Sequence, residues 1–352
     1  MYYTNNTSSL LLNWYEQSKR NLPWRNTKDP YKIWVSEIML QQTQVNTVIP
    51  YYKKWVSAYP TINSLAETDS DSILKLWEGL GYYNRCLNLH KAVKIIVSNY
   101  GSSLPKNPNV FKTLPGVGEY TAAAVYSIAF SDQLPVLDGN VKRVLSRILK
   151  ICRFTKYNKN RILSKLKSWI DKNNPGDFNQ AMMELGSTVC LPKYPNCRMC
   201  PLKSICKGFE TGRPESYPLP NKQKPIPRYL VLTGIIWKNN SFLILQRTGY
   251  RHLTNLWEFP GGKIQSNRNP KLQLTKILTK KYNLKVSIQN KIGCVNHQYS
   301  HFGINLTCFN CKVEDGSVPI GIQPYRWIKQ HEINKFAFPK ANHKLFDIMK
   351  DN

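Results

Sequence analysis

Four cysteines, Cys190, Cys197, Cys200 and Cys206, fall within seventeen residues in the pattern C-x6-C-x2-C-x5-C, and this feature limits the possible structures most. Four thiolates in one short loop can enclose a single soft metal centre, so the loop must wrap around a point. In a reducing compartment such crowding reads as metal ligation and not as disulfides, which leaves the other five of the nine cysteines to structural positions. Spacing alone keeps two occupants open, zinc and an iron-sulfur cluster, because four-cysteine zinc sites also use tight CxxC pairs. With no open ligand position the centre would be a scaffold, and Lys193, Arg198 and Lys203 around it could meet phosphates.

Ahead of this loop, from Ser8 to Lys207, apolar residues recur at helical spacing, broken by turn signals at Asp29-Pro30, Tyr59-Pro60, Gly101 and Pro115-Gly116. After it, GRPESYPLPNKQKPIP predicts an extended, poorly packed connection. Strand-like runs follow at Tyr229–Trp237 and Phe242–Gln246, around a hairpin at Lys238-Asn239-Asn240, with further strands near Ile292–Val295 and Ile304–Val313. A chain of 352 residues exceeds one comfortable core. The expected organisation is a mostly α domain over residues 1–210, a linker over 211–228 and a smaller α+β domain over 229–352, without internal repeats. Lys and Arg number 50 against 21 Asp and Glu, a net charge of +29 that would concentrate a polyanion. Part of that excess follows from a composition rich in Asn, Ile and Lys. The opening MYYTNNTSSLLLNWYEQ is too weakly apolar for a signal peptide, and no run could span a bilayer, so a cytosolic protein is expected.

Three short texts could do chemistry. Leu114-Pro-Gly116-Val-Gly118 precedes the helix former Thr121-Ala-Ala-Ala-Val-Tyr. Glycines there let a backbone approach a phosphate, whose charge the next helix N-terminus favours. Taken alone this is as well read as an ordinary helix-helix turn. Twenty residues on, Asp138-Gly-Asn140 precedes the amphipathic run Val141–Leu149, which makes Asp138 an N-cap, a role that can coexist with another. Glu37 lies in Ile33-Trp-Val-Ser-Glu-Ile-Met-Leu40; on a helix begun by Asp29-Pro30 it shares its face with Ile33 and Leu40. Desolvation would raise its pKa and suit it to donate a proton, while a core glutamate paired with Arg or Lys is the alternative.

PYKIWVSEIMLQQTQV, the cysteine spacing and the PGVG-to-aspartate interval together resemble the MutY glycosylases, within the superfamily that includes endonuclease III, and the resemblance covers nearly the whole chain. It implies a helix-hairpin-helix DNA glycosylase domain with a 4Fe-4S cluster loop over 190–206, held by Cys190, Cys197, Cys200 and Cys206, then a Nudix-like domain. The implied activity is hydrolytic removal of adenine mispaired with 8-oxoguanine or guanine in duplex DNA, by a monomer in a bacterial cytosol. Glu37 would protonate adenine, Asp138 with Asn140 would stabilise the cationic sugar, and Gly116 and Gly118 would meet the DNA backbone. Trp24, Arg25, Leu40 and Glu184 would form the adenine pocket, Gln42 would wedge into the base stack, and Tyr82 would probe near the oxidised guanine.

Two details of this sequence refine the resemblance. Bifunctional relatives of the endonuclease III type have lysine where Tyr120 stands; a phenol cannot form an imine, so base removal without strand cleavage is expected, with only weak trapping through Lys142. A lyase of that type is the alternative activity. Trp257-Glu-Phe-Pro-Gly-Gly-Lys263 resembles the opening of a Nudix domain, but counting its acidic box from Gly262 reaches Arg268, Ile277, Lys280 and Lys281, which cannot bind a divalent metal. A working nucleotide hydrolase is therefore not expected. Tyr299-Ser300-His301 resembles the family's Phe-Ser-His loop, which lies against 8-oxoguanine, with tyrosine replacing phenylalanine.

Overall fold

Helices begin where the sequence punctuates them. Asp29 accepts hydrogen bonds from the amides of Tyr31 and Lys32, with Pro30 at the first helical position, and Asp138 accepts from Val141 at 2.7 Å. The computed structural model describes residues 4–219, 225–249, 253–266, 268–314 and 323–350. The helices are α1 (Thr4–Ser18), α2 (Pro30–Leu40), α3 (Val45–Ala58), α4 (Ile62–Ala66), α5 (Ser70–Trp77), α6 (Asn84–Tyr100), α7 (Pro108–Phe111), α8 (Glu119–Phe130), α9 (Gly139–Ile148), α10 (Lys156–Trp169), α11 (Pro175–Thr188), α12 (Lys207–Glu210), α13 (Pro270–Tyr282) and α14 (Lys340–Lys350). None is long and apolar enough to cross a membrane among the described residues.

The chain divides into two compact units, one of residues 1–67 and 88–222, the other of 68–87 and 223–352. In the first, α9 shows why its sequence folds as it does. Val141, Val144, Leu145 and Ile148 recur at the spacing of one helical face and are all buried, together with Leu11 and Tyr15 of α1, Ile162 and Leu166 of α10, and Phe178 and Met182 of α11. The hairpin predicted at PGVG joins α7 to α8. Gly116 adopts φ +77°, and a Cβ there would stand 2.8 Å from the Cβ of Asn88, so both conformation and space demand glycine. Residues 211–219, expected to be a loose connection, instead pack on this unit. The Leu219 amide donates to the Cys152 carbonyl at 2.9 Å, and the Tyr217 carbonyl accepts from Arg147. Paired backbone groups hold a segment whose prolines alone suggested none of this. Residues 220–224 of the expected linker lie outside the described ones.

The second unit is built on a mixed seven-stranded sheet of β1 (Arg228–Lys238), β2 (Ser241–Gln246), β3 (Trp257–Glu258), β4 (Gly261–Ile264), β5 (Val286–Gln298), β6 (Gly303–Val313) and β7 (Tyr325–Ile328). Its order is β3-β2-β1-β6-β5, with β4 on β1 and β7 on β2, and β1 runs parallel to β6. The predicted hairpin is present: Lys238 pairs with Ser241, and Asn239 and Asn240 both take positive φ, as a tight two-residue turn requires. Alternation along β1 and β2 sorts side chains to two cores. Ile235, Phe242 and Ile244 face the α14 side, and Leu232, Ile236, Leu243 and Leu245 face α13. The segment 68–87 belongs here through polar contacts: the Glu78 carboxylate accepts from the Phe338 amide and meets His343 Nε2, each at 2.7 Å.

In α11 a Cβ on Gly176 would lie 2.7 Å from the Ser127 carbonyl oxygen and 2.8 Å from the Ile128 Cα, backbone atoms that cannot swing aside. Gly176→Ala is therefore expected to lower stability in urea unfolding by roughly 1–3 kcal/mol, through overpacking. An unstrained helical site would give the opposite sign, since alanine there stabilises by about 1 kcal/mol.

Candidate active site

Four helices of the first unit meet at one cavity of about 160 Å³, and three of them bring a carboxyl group to it. Packing of α2 on α8 brings Glu37 to Tyr120, whose hydroxyl donates to Glu37 Oε2 at 2.5 Å and lies 3.5 Å from Met183 Sδ. Asp138 enters from the start of α9 and Glu184 from α11, while Trp24, Arg25, Leu40 and Asn140 complete the lining. Trp24 sits in the short turn Pro23–Arg25, buried edge-to-face against Tyr52 at 5.4 Å. A space several times the ~30 Å³ share of one water can admit a planar heterocycle.

The three carboxyls are held in different electrostatic states. Glu37 is only 4 % exposed, and burial, opposed by the Tyr120 hydrogen bond, pushes it up to about 7. Burial also acts on Glu184, but bidentate Arg20, at 2.7 and 2.8 Å, and Arg25, at 2.7 Å, outweigh it and hold this carboxyl below its usual range. Asp138 is raised by burial, against hydrogen bonds from the Val141 amide and Asn140 Nδ2 and the nearby charge of Arg143. The N-terminus of α9 favours its anion as well. Glu37 and Glu184 are thus pushed in opposite directions, one by burial and the other by its paired arginines.

Other residues singled out from the sequence lie elsewhere. Gln42 is exposed just beyond α2 with φ +57°, an uncommon backbone state for glutamine. Gly118 is the N-cap of α8 and contributes no side-chain cap. Lys142 places Nζ over the Phe154 ring at 3.7 Å and does not line the cavity. In the second unit Tyr82, at φ +50°, meets the His301 ring edge-to-face at 6.1 Å. Ser300 and His301 are exposed, whereas the Tyr299 ring packs inward against His297 and Phe302, and burial pushes its hydroxyl up to about 12. Among the cavity residues that escaped the sequence reading are Arg20 and Met183. Arg20 stands five residues before Arg25, but only the fold brings Glu184 to both.

Behind the cavity, Arg143 links Asp138 to the cysteine loop. Its Nη2 donates to Asn140 Oδ1 at 2.9 Å and to the Gly186 carbonyl, and its Nε donates to the Cys190 carbonyl at 2.8 Å. A hydrogen bond from the Asn196 amide to the Val189 carbonyl folds the loop back toward Cys190. Burial raises the thiols of Cys197, Cys200 and Cys206, and the neighbouring cysteines of the loop push each the same way. Among the described residues no three His, Cys, Asp or Glu side chains converge tightly enough to hold a single ion. Arg147 donates to the Cys190 sulfur at 3.2 Å, a contact that suits thiolate in place of thiol.

Residues 35–185 match the family of the HhH-GPD superfamily base excision DNA repair protein, and residues 232–347 match the NUDIX domain family. Helical fold, hairpin and buried carboxyl cavity thus define a helix-hairpin-helix base excision repair protein with an added Nudix-like domain. The chain is 36 % identical to the adenine DNA glycosylase of Buchnera aphidicola subsp. Schizaphis graminum, over 97 % of this chain and 98 % of that one. To the adenine DNA glycosylase of Homo sapiens it is 32 % identical, over 96 % of this chain and 73 % of the relative. Among solved structures, a thermostable thymine-DNA glycosylase aligns with a TM-score of 0.54 and 28 % identity, over 58 % of this chain and 96 % of that one. The chain belongs to the adenine DNA glycosylase family.

The raised Glu37 carboxyl has a consequence for stability. Its folded pKa of about 7 exceeds the roughly 4.3 of free glutamate. Between those values the folded state holds the extra proton, so its stabilising effect is complete below about 4 and is lost as pH rises through 7. Glu37→Gln is expected to raise stability at pH 8 by up to about 3 kcal/mol and at pH 4 by little, measured by denaturant unfolding at both pH values. Equal effects at the two would show that Glu37 ionises normally.

Proposed function

We propose that this protein is a monofunctional adenine DNA glycosylase that hydrolyses the N-glycosidic bond of adenine mispaired with 8-oxoguanine or guanine in duplex DNA. The observation that carries the reading is Glu37, a buried carboxyl beside the Tyr120 hydroxyl that opens on the same cavity as Asp138 and that burial pushes up to about 7. Adenine turned out of the duplex enters this cavity, where Trp24 and Leu40 form its walls and Arg25 with Glu184 supply fixed polar groups. Glu37 donates its proton to N7, so the C1′–N9 bond breaks with the electron pair leaving on a neutral base. The sugar becomes an oxocarbenium ion, which the Asp138 carboxylate, oriented by Asn140, stabilises by charge. Water adds to the cation and its proton returns to Glu37, restoring the acid. Tyr120 offers a hydroxyl and no amine, so no imine ties enzyme to sugar.

Recognition outside the cavity follows the same reading. Gln42 enters the base stack, the backbone at Gly116 and Gly118 takes a phosphate, and Tyr82, Ser300 and His301 face the oxidised guanine. Tyr299, whose ring packs on Phe302, lies against the same base beside Ser300 and His301. The protein acts as a monomer in the cytoplasm, with duplex DNA as its partner. Cys190, Cys197, Cys200 and Cys206 would hold a 4Fe-4S cluster, which when bound supplies a rigid closed scaffold for the loop. Four cysteine side chains with no other ligand type among them fit such a cluster. In the Nudix-like unit Lys280 and Lys281 end α13 where hydrolase acids would stand, and Lys281 Nζ is engaged by the Gly261 carbonyl at 3.3 Å.

Single-turnover excision on an adenine:8-oxoguanine duplex tests the assignment. Glu37→Gln and Asp138→Asn should each slow base release by roughly 10²-fold or more, as expected for loss of a general acid or of charge stabilisation. The wild-type rate should fall on the alkaline side as Glu37 loses its proton near 7 and on the acid side as Asp138 gains one. Wild-type rates in both variants would overturn the catalytic roles. Stoichiometric borohydride trapping of wild type on damaged DNA would favour a lyase instead.

A further inference from the structure

Arg147, on α9, is 2 % exposed, and no carboxylate among the described residues forms an ion pair with it. A guanidinium removed from water without an anion costs several kcal/mol, and carbonyl dipoles compensate only part of that. Its hydrogen bonds all converge on the cysteine loop and the segment behind it. Nη1 donates to Cys190 Sγ at 3.2 Å and to the Leu191 carbonyl at 2.7 Å, Nη2 to the Pro192 carbonyl at 3.0 Å, and Nε to the Tyr217 carbonyl at 3.2 Å. Its charge also acts on Cys197 and Cys206, so three of the four sulfurs feel it. The approach is built in from the other side too: a Cβ on Gly208, two residues past Cys206, would stand 2.8 Å from the Arg147 carbonyl oxygen.

We propose that Arg147 is the buried counter-ion of the four-cysteine centre, a positioning residue whose fixed charge favours the more reduced state of the bound cluster. The inference rests on the 4Fe-4S reading above. Reduction adds negative charge to a centre already anionic, and a cation fixed 3.2 Å from one ligand sulfur stabilises that added charge most. Removing the cation therefore lowers the reduction potential, whatever its effect on folding. Lysine at this position keeps the charge but cannot reproduce a fork that satisfies three carbonyls and a sulfur at once.

The test compares full-length wild type, Arg147→Lys and Arg147→Gln, each reconstituted with iron and sulfide, by iron and sulfide content, visible absorbance and mediated redox titration. Arg147→Gln should titrate at a more negative potential, with the reduced-to-oxidised ratio falling about tenfold at fixed ambient potential, or about 59 mV for one electron. Arg147→Lys should stay near wild type in potential while losing iron faster to a chelator. An unchanged potential in Arg147→Gln, equal shifts in both variants, or failure of both to retain iron would overturn the proposal and leave Arg147 a structural staple. Wild type that carries zinc and no iron-sulfide absorbance would instead remove the cluster reading on which it rests.

Discussion

A carboxylic acid that stays protonated at neutral pH must be kept from water, and the first unit is arranged to do that for Glu37. One turn of α2 is apolar on every side, with Trp34, Val35 and Met39 unexposed, so the helix is covered all round and Glu37 is covered with it. Packing on α8 then supplies Tyr120 as the immediate partner of the carboxyl. Burial outweighs both the Tyr120 hydroxyl, whose hydrogen bond favours the ionised form, and the nearby charge of Arg25.

The same cavity holds a second acid in the opposite condition. Glu184 is as deeply buried as Glu37, yet two arginines hold both its oxygens, and the result is a carboxylate locked in ionised form. Burial therefore does not fix the state of an acid here; the identity of the partner does. Asp138 lies between these extremes, half-buried at a helix start and tied through Asn140 and Arg143 to the Cys190 backbone. A continuous polar path thus joins the cavity to the cysteine loop.

Much of this was legible in the sequence because the determinants are local. Asp29-Pro30 started α2 and so put Glu37 among apolar residues, and Asn239-Asn240 closed the first hairpin of the sheet. The MutY-like text around Glu37, with the cysteine spacing, pointed to the family that full-length relatives define. What the sequence hid depends on distant partners. Arg20 and Glu184 are 164 residues apart, and nothing near either announces the pair. The prolines between 211 and 219 suggested a loose tether, but carbonyls and amides there pair with Arg147 and Cys152, which only the fold supplies.

The most direct test of the account is the titration of the Glu37 carboxyl itself, followed by difference infrared or by carbon NMR of selectively labelled glutamate with Glu37→Gln as the reference. The account predicts that this one signal changes form near pH 7, separate from the other glutamates. A transition at the usual glutamate range, close to 4.3, would contradict it, because the group would then hold no proton to give a leaving base at neutral pH.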